Sequence, residues 1–370
     1  MTGPVGPVGV AVVGCGTISH QYLANLVSFP GVRVVACADL DPGRAREVAE
    51  RYGVPVAATV PEAISHPGVE LVVNLTIPSA HAEVAMAAVG AGRHVYNEKP
   101  FTADRESGAA LVEAAASAGV LLGSAPDTFL GAGMQTAARI VAEGGIGTPL
   151  SALTLLQGPG PESWHPSPEF LFQPGGGPLF DMGPYYLTAL TTLFGPARRV
   201  AAVARRARDE RVVGSGPRAG TRFPVEVPTH VTALLEFAAG QAATMVFTFD
   251  SPLRRAGFVE ITGTEATMRV PDPNTFGGEV RLRRAEDEEW RPVPTEGTEA
   301  GRGLGVLDMA QAIREGRPHR ATGELGLHVL DTMIAVAESA ERAAFVEVTG
   351  DCPVPEPLPR GWDPATIRFG

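Results

Sequence analysis

At 370 residues and 44% hydrophobic, the chain is long enough for two domains with separate cores. A net charge of −11 with scattered arginines argues against nucleic acid or an anionic membrane as partner and leaves a small-molecule ligand. No apolar run reaches the roughly 18 residues of a membrane span, no basic stretch precedes an apolar one at the N-terminus, and Cys15, Cys37 and Cys352 lack metal-ligand spacing, so the expectation is a cytoplasmic protein with reduced cysteines and no metal.

The first apolar run, 8–13, breaks into Gly14-Cys15-Gly16-Thr17-Ile18-Ser19 and continues as a helical pattern to Leu26. Strand, glycine turn and helix in that order form the context of a dinucleotide fingerprint. Gly14 permits the tight turn, and Gly16 lets a pyrophosphate approach backbone N–H groups at a helix start. A second strand, 32–38, ends at Asp39, where a carboxylate accepts ribose hydroxyls and repels a 2′-phosphate; this favours NAD over NADP. Arg44 and Arg46 lie close enough downstream to soften the preference. As a helix cap for 42–52, Asp41 fits better than Asp39.

The third unit runs 71–76 into Ile77-Pro78-Ser79-Ala80-His81 and a helix to Ala91, which sets Thr76 and His81 on a loop facing the cofactor. A strand then ends in Asn97-Glu98-Lys99-Pro100, followed by a helix over 103–118 and a strand over 120–124. Lys99 is the only lysine among 30 cationic residues. A compact ammonium kept where every other cation is arginine, at the end of a strand where ligands collect, reads as functional. The alternation predicts a doubly wound parallel sheet, a Rossmann domain, over 1–125.

From residue 126 to 370 the pattern changes to an α+β domain. A helix over 134–143 precedes strand-like segments at 151–157, 199–206, 229–237, 242–250, 257–262 and 279–284, which predict an open, mainly antiparallel sheet with one free face suited to a homodimer or homotetramer. Two late helices, 306–314 and 324–344, follow, and the charged run 281–291 reads as a solvated hairpin. The segment 161–177 is too long for a simple connection and too aromatic for disorder, so it reads as a binding loop carrying Trp164, His165, Phe170 and Phe172. Beyond it, Asp181 and Tyr185 are four apart and face one way on a helix running to Leu193. Pro184 predicts that this helix either begins near Asp181 or is irregular in its first turns.

On Gly14-Cys15-Gly16-Thr17-Ile18, Asp39, the 76–81 loop, Glu98-Lys99-Pro100 and Gly175-Gly176-Gly177-Pro178-Leu179-Phe180-Asp181-Met182-Gly183, the chain resembles the glucose–fructose oxidoreductase, inositol dehydrogenase and MocA family over nearly its whole length. The resemblance implies an NAD(P)-dependent dehydrogenase acting on sugars or cyclitols. In that reading Lys99 touches substrate and nicotinamide, Glu98 holds the cofactor ribose and Asp181 binds or orients substrate. Tyr185 replaces the acid/base histidine of many members, as tyrosine does in glucose–fructose oxidoreductase; Ile77 stands where proline is usual and Thr188 where a second acid is common.

Oxidising a secondary alcohol means removing its proton while a hydride leaves for the nicotinamide. A phenol, with an ordinary pKa of about 10, needs a neighbouring cation to serve as that base, which couples Tyr185 to Lys99. Asp181 then fixes a neighbouring hydroxyl, while Trp164, Phe170 or Phe172 stacks on a ring face. His165 is the rival base, and Tyr186 is the tyrosine expected in the core. Three classes of function follow: a net dehydrogenase or reductase, a redox-neutral glycosidase or epimerase with transient sugar oxidation, and an NAD-sensing protein without catalysis. Lys99 together with Asp181 argues against the third.

Overall fold

The computed structural model describes residues 6–369. Tertiary contacts divide the chain into two compact units, Met1–Ala132 with Glu296–Leu330 and Pro355–Gly370, and Gly133–Thr295 with Asp331–Val354. A single cut near residue 125 is the simplest reading of the pattern change, but it misses the return of the chain to the first unit. That return is invisible locally, because it depends on contacts between residues about two hundred positions apart.

The elements in chain order begin with β1 (Val8–Val13), α1 (Ser19–Leu26), β2 (Val32–Ala38), α2 (Pro42–Tyr52), β3 (Val56–Ala58), α3 (Val60–Ser65), β4 (Leu71–Asn74), α4 (His81–Gly90), β5 (His94–Asn97), α5 (Arg105–Ala118) and β6 (Leu122–Ser124). Their strands form one sheet in the order β3-β2-β1-β4-β5-β6, parallel throughout. Short apolar strands alternating with amphipathic helices admit this arrangement, and Val13, Ala36, Val72, Val89, Val95 and Leu111 share the resulting core. Local capping sets the helix ends. Asp41 caps α2 by accepting from Gly43 and Arg44 N–H, and Asp104 accepts from Ser107 N–H, which starts α5 at 105 rather than 103.

The chain continues through α6 (Ala132–Ala142), β7 (Pro149–Gln157), α7 (Gly177–Phe194), β8 (Ala197–Arg205), β9 (Glu210–Val212), β10 (Arg222–Pro224), β11 (His230–Phe237), β12 (Ala242–Thr248), β13 (Arg255–Gly263), β14 (Ala266–Val270), β15 (Val280–Arg284), β16 (Arg291–Val293), α8 (Leu304–Glu315), α9 (Gly323–Arg342) and β17 (Val346–Glu347). Nine strands of the second unit form a sheet in the order β16-β15-β14-β13-β7-β12-β11-β8-β17. It is antiparallel except for the β7–β12 pair, which runs parallel. β15 and β16 make the hairpin read from the charged run. α7 packs on β7, β11 and β12, covering the inward residues Ala233, Leu235, Met245 and Phe247. α7 starts at Gly177 and carries Pro184 inside it, so the helix does not begin near Asp181; its opening is instead irregular, with Gly177 at φ +83° and one N–H missing at the proline.

In the first unit, the segment after β6 is fixed by residues that arrive much later. Ser124 N–H donates to Ala321 O at 2.9 Å, and Asp127 accepts from the N–H groups of Gly303 and Gly305 at 2.8 and 3.0 Å where α8 starts. Burial pushes the Asp127 carboxyl above its ordinary range.

Candidate active site

In the first unit the expected residues gather at the carboxyl ends of the parallel strands. Gly14 has φ +95°, and a Cβ there would lie 2.6 Å from the Leu75 carbonyl, so the turn after β1 demands glycine. A Cβ on Gly16 would meet nothing within 4 Å. The backbone of Gly16 therefore borders open space beside the first turn of α1, the cradle into which a dinucleotide pyrophosphate fits. Thr17 is exposed and Ile18 half-buried on the same turn.

Asp39 is tied to that turn. Its Oδ2 accepts from Cys15 N–H at 2.8 Å and its Oδ1 from Asp41 N–H at 2.9 Å, with Arg44 Nη1 at 3.3 Å. Two backbone donors hold the carboxylate in place, and ribose hydroxyls would take the lone pairs now facing Arg44 Nη1, 3.3 and 3.5 Å from the two oxygens. Arg44 is half exposed on its outer side.

Between β4 and β5 lies a polar network that the sequence reading missed. Asn74 Oδ1 accepts from the Thr76 hydroxyl at 2.7 Å; its Nδ2 donates to His81 O and to Asn97 Oδ1, both at 3.0 Å. Asn97 Nδ2 donates in turn to Phe101 O at 3.2 Å. Both asparagines are wholly buried. A signal existed: each ends an apolar strand, and a buried amide survives there only with its partners supplied.

Glu98 is also buried, with Oε1 accepting from Tyr22 OH at 2.9 Å and Oε2 from Lys99 N–H at 2.6 Å. Burial and the Glu98 charge push the Tyr22 phenol well above its ordinary range, so it stays a donor. The glutamate expected to reach the ribose is thus first a brace for the backbone of Lys99. Lys99 itself is half-buried one residue further on. His81 is fully buried, with its ring nitrogens on the carbonyls of Pro100 and Thr76 at 2.7 and 3.0 Å. It faces backbone, where the sequence reading put it against the cofactor.

In the second unit α7 carries Asp181, half-buried, and Tyr185, 5% exposed, one turn apart. Tyr186 is the core tyrosine: its ring packs on Phe247 and its hydroxyl accepts from Gly257 N–H at 2.8 Å. Ahead of α7, Trp164, His165 and Phe170 form an edge-on stack with centroids 5.5 and 5.4 Å apart, and Trp164 and Phe170 are 62% and 56% exposed. Phe172 is a correction to the expectation of a ring-stacking group. It is fully buried among Phe223, Phe249, Val213 and Val225, because a small separate core forms under this loop. His165 Nδ1 accepts from Ser167 N–H at 3.1 Å, which puts the proton of the neutral ring on Nε2.

The loop is anchored by Arg211, a residue the sequence reading passed over. Its guanidinium, 2% exposed, pairs with Glu162 and Asp250, donates to Pro159 O and Phe249 O at 2.8 and 2.9 Å, and lies 5.3 Å from the Phe172 ring centroid.

Comparison with known proteins places these features in a family. The model described as "Oxidoreductase family, NAD-binding Rossmann fold" matches residues 8–125, and that of the GFO/IDH/MocA C-terminal domain matches 134–269. The chain is 27% identical over 347 residues to 1,5-anhydro-D-fructose reductase of Ensifer adhaerens, covering 91% of this chain and 97% of that protein. It is also 27% identical over 345 residues to D-xylose 1-dehydrogenase (NADP(+)) 2 of Haloferax volcanii, covering 91% and 98%. Among solved structures, levoglucosan dehydrogenase in complex with NADH and L-sorbose superposes with a TM-score of 0.79 at 25% identity, covering 93% of this chain and 99% of that one.

Proposed function

Since this chain belongs to the GFO/IDH/MocA oxidoreductases, NAD(P)-dependent enzymes of sugar and cyclitol CH–OH groups, we propose that it moves a hydride between NAD(H) and a secondary hydroxyl or ketone of a sugar, glycoside or cyclitol, with Tyr185 and Lys99 as the acid–base unit. The observation that carries the proposal is the place of Lys99, braced through Glu98 and Tyr22 at the strand ends where the glycine turn also lies. The bound nicotinamide supplies the hydride acceptor or donor. Tyr185 takes the hydroxyl proton, Lys99 favours the phenolate that does so, and Asp181 holds a neighbouring hydroxyl. Trp164 and Phe170 offer apolar ring faces to the C–H side of the substrate.

Tyr185 is preferred to His165 because the neutral His165 ring spends its lone pair on Ser167 N–H and carries a proton on Nε2. A base needs a vacant lone pair at the reacting end. NAD is preferred to NADP because Asp39 is held in place by two backbone donors and repels a 2′-phosphate.

A screen of polyols, aldoses and glycosides with NAD, followed by NADH absorbance, tests the proposal. Expected is stoichiometric NADH with at least one class of substrate and weaker response with NADP. Glycoside conversion that requires NAD without accumulating NADH would move the reading to redox-neutral chemistry, and tighter binding of NADPH would overturn the reading of Asp39.

A further inference from the structure

His81 opens α4 with a wholly buried ring that faces only acceptors. Nδ1 is 2.7 Å from Pro100 O, Nε2 is 3.0 Å from Thr76 O, and the Phe101 backbone also favours the protonated ring. A neutral imidazole has one N–H and one lone pair, so it donates to one carbonyl and sets its lone pair against the other; only the imidazolium donates to both. The two carbonyls belong to different segments. Thr76 begins the loop after β4, and Pro100 directly follows Lys99. A doubly donating ring therefore ties the loop to the turn that holds Glu98 and Lys99.

Resting on the dinucleotide reading above, we propose that His81 ties these two segments together as the imidazolium, so that cofactor binding takes up a proton at His81. Two effects oppose the charge in the free protein: burial, which holds the ring below its ordinary range, and the positive end of α4. The Glu98 carboxylate is the ionised group that favours it. On deprotonation the shorter contact, to Pro100, keeps the N–H, and the Thr76 end is released. Thr76, beside exposed Ile77, then keeps its bonds to Asn74 and loses the tie to His81. If the tied form binds the dinucleotide better, linkage requires that the dinucleotide raise the proton affinity of His81.

Calorimetric titration of NADH into the whole protein, in two buffers of different ionisation enthalpy near neutral pH, reads the proton directly. Expected is uptake of a fraction of one proton, with NADH affinity falling about fivefold or more as pH rises through the histidine range. Both effects should vanish in His81→Gln. Should that variant fail to fold, 15N resonances of the wild-type imidazoles give the same answer: one ring should shift toward the doubly protonated form when NADH is added. NADH binding with no buffer-dependent heat, or imidazole resonances indifferent to NADH, overturns this inference and leaves the cofactor reading standing. No NADH binding at millimolar concentration overturns both.

Discussion

A guanidinium at position 99 would keep the cation but replace a compact, movable donor with a planar fork. If Lys99 acts by placing one hydrogen bond on the reacting hydroxyl and favouring the Tyr185 phenolate, Lys99→Arg and Tyr185→Phe should each lower turnover by about 10²–10⁴ while NADH affinity holds. The double variant should be scarcely worse than either, because the two act as one unit. Steady-state kinetics with fluorescence titration of NADH checks this; near-normal turnover in Lys99→Arg would make the lone lysine incidental. At this scale, residues with local signatures were legible: Gly14 by its turn and Asp41 by its cap. Asn74, Asn97 and Tyr22 were not, because their roles depend on partners across strands. Phe172 misled for the same reason: an aromatic side chain in a loop looks available until Val213, Phe223 and Phe249 are known to enclose it.

Elements of six or more residues were largely recoverable from periodicity, whereas β3, β9, β10 and β17, two or three residues each, carry no pattern to detect. The β9–β10 ribbon matters despite its size, since it delivers Arg211 beneath the loop that carries Trp164, His165 and Phe170. Arg211→Met would leave buried Glu162 and half-buried Asp250 without their cation, at a cost of about 3–5 kcal/mol. Denaturant unfolding measures that loss. Limited proteolysis should meanwhile show cleavage within 159–173 well before the sheet is attacked; a loop as resistant as in the wild type would remove Arg211 from its anchoring role.

For the whole molecule, the outer face of the nine-stranded sheet is the surface to test. Leu234 stands opposite Ala201 and Thr244, and Thr244 opposite Leu153, in one continuous row with Val203 nearby. Leu153, Leu234 and Val203 are 37%, 53% and 71% exposed. A patch of this kind on a chain of net charge −11 favours a specific partner over indiscriminate association, and a second copy offers the same flat face. Light scattering should give a multiple of 38.5 kDa, and Leu234→Glu should return the mass to one chain. A wild-type monomer at micromolar concentration would contradict the assignment.

The late return of the chain to its first unit has a temporal meaning. During synthesis, residues 1–132 emerge long before 296–330 and 355–370, which complete the same unit. At about 5–20 residues per second the gap is on the order of tens of seconds. Throughout it Asp127 lacks the Gly303 and Gly305 N–H groups, and Ser124 lacks the Ala321 carbonyl. The nascent nucleotide-binding half therefore waits on the ribosome as an open-edged intermediate, and the second unit, whose first and longest segment lies between, has time to form its sheet before its neighbour is finished.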